Sequence, residues 1–269
     1  MNIKSIIALL TIFLLCPSPA SSKNIEGTSP DGSTRIVIET ENQVAYSVFR
    51  HGTMILNTSP ISLTGNNIWG TDRKCLKITS HSVSERVNFT VPRKYKQVSN
   101  EYNQIQLTYK GYKIEFRVYN EGVAYRFIST SHHKEPVQSE VVSFYFNQDY
   151  NSYTLLTNQL QNWFEQNYTI SPISKLPRDS FSVAPVMVEV DKYKVLLAEA
   201  NLYNYAGMYL QPIGHAFQGI FALYPDQEVP ADGDNKIYAS TRKDYIIPHC
   251  GKRAFPWRVI GIFADLPSI

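Results

Sequence analysis

From residue 34 to residue 263 the chain is written in short runs of β-branched and aromatic residues separated by turn formers. Ten runs stand out: TRIVIE (34–39), VAYSVFR (44–50), IQLTYK (105–110), YKIEFRVY (112–119), VAYRFI (123–128), EVVSFYF (140–146), VMVEV (186–190), YKVLLAEA (193–200), GIFALY (219–224) and WRVIGIF (257–263). Several alternate with period two. In KIEFRV, Ile114, Phe116 and Val118 fall on one face and Glu115 and Arg117 on the other. Asp31-Gly32, Lys110-Gly111, Glu121-Gly122 and Asp232-Gly233 supply turns between runs. No segment sustains a 3.6-residue period, and LLTNQLQNWFEQN (155–167) has room for a short helical turn only. Many short strands with turns at close spacing predict an all-β fold, an antiparallel sandwich. No Gly/Ser linker divides the chain, and single all-β domains reach roughly 200–250 residues. ISPISKLPRDSFSVAP (170–185) reads as a surface loop between two halves of the sandwich.

The first residues speak to compartment. MNIKSIIALLTIFLLCPSPASSK has one lysine, an apolar run from Ile6 to Leu15 and then small residues. That is the layout of a secretory signal peptide, expected over 1–22, with a domain from 23 to 269; a membrane-spanning helix needs ~20 apolar residues. A periplasmic or secreted location follows. Cys16 raises lipidation as an alternative, although Leu15 and Pro17 suit such a site poorly. After the leader, Cys75 and Cys250 remain, either as a disulfide, which export permits, or as two separate thiols. The formal net charge of +3 is scattered, with no basic run to follow a phosphate backbone, so nucleic acid is not an expected partner.

Chemistry-bearing motifs are scarce. There is no nucleophile elbow, phosphate loop or zinc signature. His132-His133 alternate faces in a polar loop, and the turn around Asp232-Gly233 lacks the acidic position of a calcium loop. Hydrolysis of a glycoside usually needs two carboxyl groups about 5–10 Å apart across a cleft. Glu189 with Asp191, and Asp232 with Asp234, have only the commonplace i, i+2 spacing of a solvated face. His215 and His249 could serve an isomerase acting at a sugar ring, but no motif ties them to a site. In FRVYNEGVAYRF (116–127), two strands flank a tight turn at Asn120-Glu121-Gly122, with Gly122 free to take a positive φ. Arg117 and Arg126 are then placed to meet Glu115 or Glu121. The most unusual carboxylate is Glu199, set between alanines inside the apolar run YKVLLAEA; it either lies at the rim of a sheet or needs a partner.

Four pieces, in order along the chain, carry a family resemblance: SPDGSTRIVIE with VAYSVFRHGTMIL and SPISL; NEYNQIQL with FRVYNEGVAYRF; LLAEANLYNYAGM; and PWRVIGI. Together they resemble the N-terminal domain of glycoside hydrolase family 97, exported α-glucosidases and α-galactosidases. The resemblance implies a β-super-sandwich of galactose-mutarotase-like shape that packs on a following (β/α)₈ barrel. In the family the barrel holds the catalytic residues, and the sandwich lends one carboxylate to a calcium site. Glu199 occupies the matching position and is the expected metal ligand, so calcium is the expected cofactor of the intact enzyme rather than of this chain alone. The chain ends at FADLPSI, before a barrel would begin. The resemblance therefore implies a sandwich without catalytic residues, inactive alone. Its expected partners are α-linked carbohydrate and a separately encoded barrel. A glycosidase component, a mutarotase-like sugar-binding protein and a pure interaction module are the alternatives. Tyr203, Tyr205, Met208 and Tyr209 are the expected apolar face toward the barrel, with Glu199 pointing out of the sandwich beside them.

Overall fold

A computed structural model describes residues 24–264, apart from 73, 92–93, 133, 161–163 and 231–236. The leader, His133 and the turn at Asp232-Gly233 lie outside the described residues. The chain is an antiparallel all-β fold with two large sheets. One has nine strands, in the order Ile25–Thr28, Thr34–Glu39, Ala45–Arg50, Thr53–Pro60, Ser143–Tyr145, Ala216–Phe221, Met208–Ile213, Phe181–Val183 and Leu156–Thr157. The path through the other runs Thr169–Pro172, Asn151–Thr154, Val186–Val190, Tyr193–Ala200, Trp257–Phe263, Gly122–Ser129, Tyr112–Tyr119, Gln97–Thr108 and Lys77–Asn88, and the short Arg253–Ala254 strand joins beside Gly122–Ser129. A three-stranded sheet (Ser139–Val141, Ser62–Thr64, Ile68–Trp69) and a two-stranded ribbon (Pro225–Pro230, Ile237–Arg242) complete it.

Alternation decides which side chains face inward. Ile36 and Ile38 of the first sheet and Ile114, Phe116 and Val118 of the second are fully buried in one shared core. Tyr46 bridges the layers: its ring lies 5.3 Å from Tyr125 and 6.2 Å from Phe116, and its hydroxyl donates to the Ser143 carbonyl at 3.1 Å. That bond is what lets so large a polar tip be buried.

The predicted hairpin is present. Val123 to Ser129 pair with Val118 down to Tyr112 in unbroken register, and Gly122 faces Tyr119 across a two-residue turn. Other expectations are corrected. EVVSFYF is not one strand: Ser139–Val141 belongs to the small sheet and Ser143–Tyr145 to the nine-stranded one, so the chain changes sheets at Val142. The 170–185 segment is no simple surface loop. It contains two strands and a 3₁₀ turn at Ile173–Lys175 that buries Ile173, with Leu176 buried just beyond. In 155–167 the described part is the strand Leu156–Thr157 rather than a helical turn. Lys77–Asn88, too polar to register as a strand in the sequence, pairs along its whole length with Gln97–Thr108, mostly in solvent. A ribbon of this kind is held by its ladder rather than by burial, so hydrophobic patterning does not reveal it.

Cys75 and Cys250 are two separate thiols, Cys75 half-buried and Cys250 buried. Burial pushes the Cys250 thiol above its ordinary range. Timed alkylation read by mass spectrometry is therefore expected to label Cys75 first, with Cys250 modified at least ~10-fold more slowly until the fold opens. Equal rates in the folded protein would contradict this placement.

Candidate functional site

Glu199 has a partner, and it is Arg258. The two residues are directly opposed where the Tyr193–Ala200 and Trp257–Phe263 strands pair. Both belong to inward-facing series: Tyr193, Val195 and Leu197 precede Glu199, and Ile260 and Ile262 follow Arg258, all five being buried. Glu199 Oε2 accepts from Arg258 Nη1 at 2.7 Å, and Glu199 Oε1 accepts from the Met208 backbone N–H at 3.0 Å.

Arg258 is completely buried and holds a second carboxylate. Its Nε and Nη2 donate to Glu140 Oε1 and Oε2 at 2.9 and 2.5 Å, the two-pronged geometry that suits a guanidinium to a carboxylate. The Tyr205 hydroxyl donates to Glu140 Oε2 at 2.8 Å. Phe221 and Tyr205 cover the guanidinium at 4.9 and 5.7 Å from their ring centres. Burial by itself would lower the affinity of Arg258 for its proton; Glu140 first and Glu199 beyond it reverse this and hold it charged. Burial, reinforced by the Glu140 carboxylate, pushes the Tyr205 hydroxyl well above its usual range, so it stays a donor. Glu140, Arg258, Glu199 and Tyr205 thus form one polar network, and two of its members, Glu140 and Arg258, were not singled out in the sequence. Glu140 stands at the head of the apolar run EVVSFYF, which was the available signal.

Glu199 does not point freely out of the sandwich. Its side chain is 14% exposed, more open than those of Glu140 and Arg258, and each oxygen already holds an inward bond. Among the described residues no group of three or more His, Cys, Asp or Glu side chains converges as a metal site. A calcium ion takes about six to eight oxygen ligands, and the donors gathered here do not fit one by themselves.

Of the expected apolar face, only Tyr203 is open, at 75% exposure. Met208 is core, and Tyr205 and Tyr209 are half-buried, tied to Glu140 and to the Leu160 carbonyl. The other predicted charge cluster forms. Glu115 accepts from Arg126 at 2.7 Å and from Arg117 at 3.3 Å, and both guanidiniums lie over the Trp257 ring. Glu189 takes an ordinary structural role, accepting from Lys194 and from the Tyr153 hydroxyl.

Two cavities flank the network. One, of about 390 Å³, lies on the ten-stranded sheet among Tyr119, Trp257 and Phe263, with Glu121 as its one carboxylate. The other, of about 630 Å³, opens beside Tyr205 and has no carboxylate on its wall among the described residues. Among the described residues no helix is long and apolar enough to cross a membrane.

The chain is similar to known proteins. The chain is 32% identical to a retaining α-galactosidase of Bacteroides thetaiotaomicron, over 93% of its own length and 41% of that protein's. It therefore spans about two fifths of that relative. A family 97 glycoside hydrolase from Pseudoalteromonas sp. strain K8, solved with acarbose, superposes with a TM-score of 0.72 at 18% identity, over 90% of this chain and 36% of that one. A β-arabinopyranosidase gives 0.71 at 19% identity, over 89% and 40%. At those identities the two structures speak for the fold alone. The family described as "Glycosyl-hydrolase 97 N-terminal" matches residues 28–269. This chain is accordingly a member of glycoside hydrolase family 97, comprising its N-terminal β-sandwich domain.

Proposed function

We propose that this domain supports the catalytic body of an exported α-glycoside hydrolase and performs no hydrolysis itself. The supporting observation is the state of its internal carboxylates. Glu115 and Glu140, both deeply buried, and Glu199 are each bonded to arginine, and neither cavity beside them offers more than one carboxylate. A hydrolytic centre usually needs two across an open cleft. Family membership supports an α-linked carbohydrate as the substrate of the whole enzyme, and the leader-like first 22 residues support export.

Within that reading, Glu199 is one oxygen ligand of a calcium ion whose remaining ligands come from the catalytic body. It is the more exposed of the two network carboxylates, and its lone pairs are not exhausted by one bond per oxygen. Arg258, Glu140 and the Met208 N–H fix its orientation. The ion would supply charge neutralisation at the reacting centre when bound.

The test is calorimetric calcium titration of this chain, of its mixture with a separately produced family 97 barrel, and of the mixture carrying Glu199→Gln. Assays with aryl α-glucosides and α-galactosides run alongside. The chain alone should release no product and bind calcium no better than a surface carboxylate. The mixture should bind calcium, and the substitution should weaken that binding. Glu199→Gln keeps an acceptor for Met208 but loses a charge-assisted bond to Arg258, so its melting should also fall, by about 1–3 kcal/mol of stability. Turnover by the pure chain that a carboxylate substitution abolishes would overturn the supporting role; identical titrations of the two mixtures would remove Glu199 as a ligand.

A further inference from the structure

The cavity beside Tyr205 has a recognition chemistry that the supporting role does not use. It holds about 630 Å³ and lies where the ribbon Pro225–Pro230 and Ile237–Arg242 meets the sandwich. Arg242 and Arg253 both line it, with His249 and Asn204. Other arginines of this fold meet carboxylates: Arg35 meets Glu26, Arg117 and Arg126 share Glu115, and Arg258 joins Glu140 to Glu199. Arg242 and Arg253 bond instead to neutral carbonyls. Arg242 Nη1 donates to Leu223 at 2.7 Å, and Arg253 Nη1 and Nη2 donate to Asn204 and Tyr203 at 3.2 and 2.7 Å. Those carbonyls leave both charges uncompensated, and no carboxylate lines the cavity among the described residues.

Arg253 is also held ready. Its guanidinium lies 5.3 Å from the Phe255 ring centre and 5.9 Å from that of Tyr205, which restricts its orientation. Its Nε is buried without an acceptor among the described residues, an arrangement that costs free energy unless something accepts from it. The remaining wall is apolar and aromatic: Leu223, Ile246, Ile247 and Tyr224, the last 42% exposed. A bare inorganic anion would leave most of this wall against water. A neutral sugar would leave the buried Arg253 Nε and both uncompensated charges without a carboxylate. A ligand with a carboxylate at one end and a ring with apolar faces at the other satisfies both parts.

We infer that this cavity is a binding site for a carboxylate-bearing sugar, a uronic acid or an oligosaccharide ending in one. Arg253 and Arg242 take the carboxylate, Tyr224 and the aliphatic wall take the ring, and Asn204 and His249 are placed for hydroxyl groups. The site is separate from any calcium site at Glu199, so failure of the calcium titration leaves it untouched.

The test is calorimetry or saturation-transfer NMR on the purified chain at low salt, with galacturonate and glucuronate as ligands. Galactose, glucose, acetate and inorganic phosphate are the comparisons. At least one uronate should bind, with each comparison at least ~10-fold weaker: the neutral sugars lack the charged group the site is built for, and acetate and phosphate lack the ring that covers its apolar wall. Raising the salt to 0.5 M should weaken the uronate, since a partly open ion pair is screened. Arg253→Gln and Arg242→Gln should each reduce uronate affinity by ~10-fold or more. Arg242 is exposed, so its variant tests the site even where the Arg253 variant loses structure. Neutral sugars binding as tightly as uronates, acetate or phosphate matching them, no uronate binding at millimolar concentration, or a folded Arg242→Gln protein with unchanged affinity would each overturn the assignment.

Discussion

Arg258→Met should destabilise the domain by about 3–5 kcal/mol, because it strands two carboxylates where water cannot reach them freely. Arg258 has no exposed surface, Glu140 is 7% exposed, and among the described residues Arg258 is the one basic side chain bonded to both Glu140 and Glu199. Methionine matches the length of the side chain but leaves Glu140 with the Tyr205 hydroxyl alone. Domain stabilities are typically ~5–15 kcal/mol in total, so this one change should leave a large unfolded fraction at moderate urea. The triple replacement of Arg258, Glu140 and Glu199 by apolar residues of similar size should recover much of the loss, since removing both signs leaves no stranded charge. Equilibrium urea unfolding of the two variants decides the matter. A single substitution with an unchanged midpoint would mean that the carboxylates find other partners or protons at little cost.

Gly122→Ala should be almost as damaging, by about 3 kcal/mol or more. Gly122 has φ +152°, and a Cβ there would sit 2.1 Å from the Ile260 carbonyl oxygen of the neighbouring strand. A backbone carbonyl in mid-sheet cannot swing aside without breaking the pairing of Gly122 with Gly261. Gly111, at the turn before Tyr112, provides the control. Its φ is +88°, but nothing lies within 4 Å of a Cβ built on it, so Gly111→Ala carries backbone strain alone, about 1–2 kcal/mol. Thermal melting of the two variants should separate them clearly, and a smaller loss at Gly122 than at Gly111 would contradict the crowding argument.

These two residues also mark the boundary between what was legible in the sequence and what was not. Gly122 was recognisable as a turn glycine from its neighbours, because hairpin chemistry is local: strand, two residues, strand. That Ile260 presses against it depends on a strand more than a hundred residues away, and no local pattern carries that. The same division runs through the fold. Strands with a buried face, such as Thr34–Glu39 and Tyr112–Tyr119, were visible because burial writes a period of two into the sequence. The polar ribbon of Lys77–Asn88 with Gln97–Thr108 was not, because backbone pairing in solvent asks little of its side chains.

By itself the sequence determined that the chain is all-β, that its central hairpin turns at Gly122, that Arg117 and Arg126 flank that turn within reach of Glu115 or Glu121, and that it resembles a known N-terminal domain. It also exposed Glu199 as an anomaly, since a carboxylate in an apolar run must be resolved somehow. Only the tertiary structure decided how. The register of two strands placed Arg258 opposite Glu199, and a sheet change at Val142 brought Glu140 to the same guanidinium. The physical reason is range. Alternation, turns and propensities act over a few residues, whereas a buried charge is satisfied by whichever side chain the packing brings to it, and here that partner lies 59 residues along the chain in one case and 118 in the other.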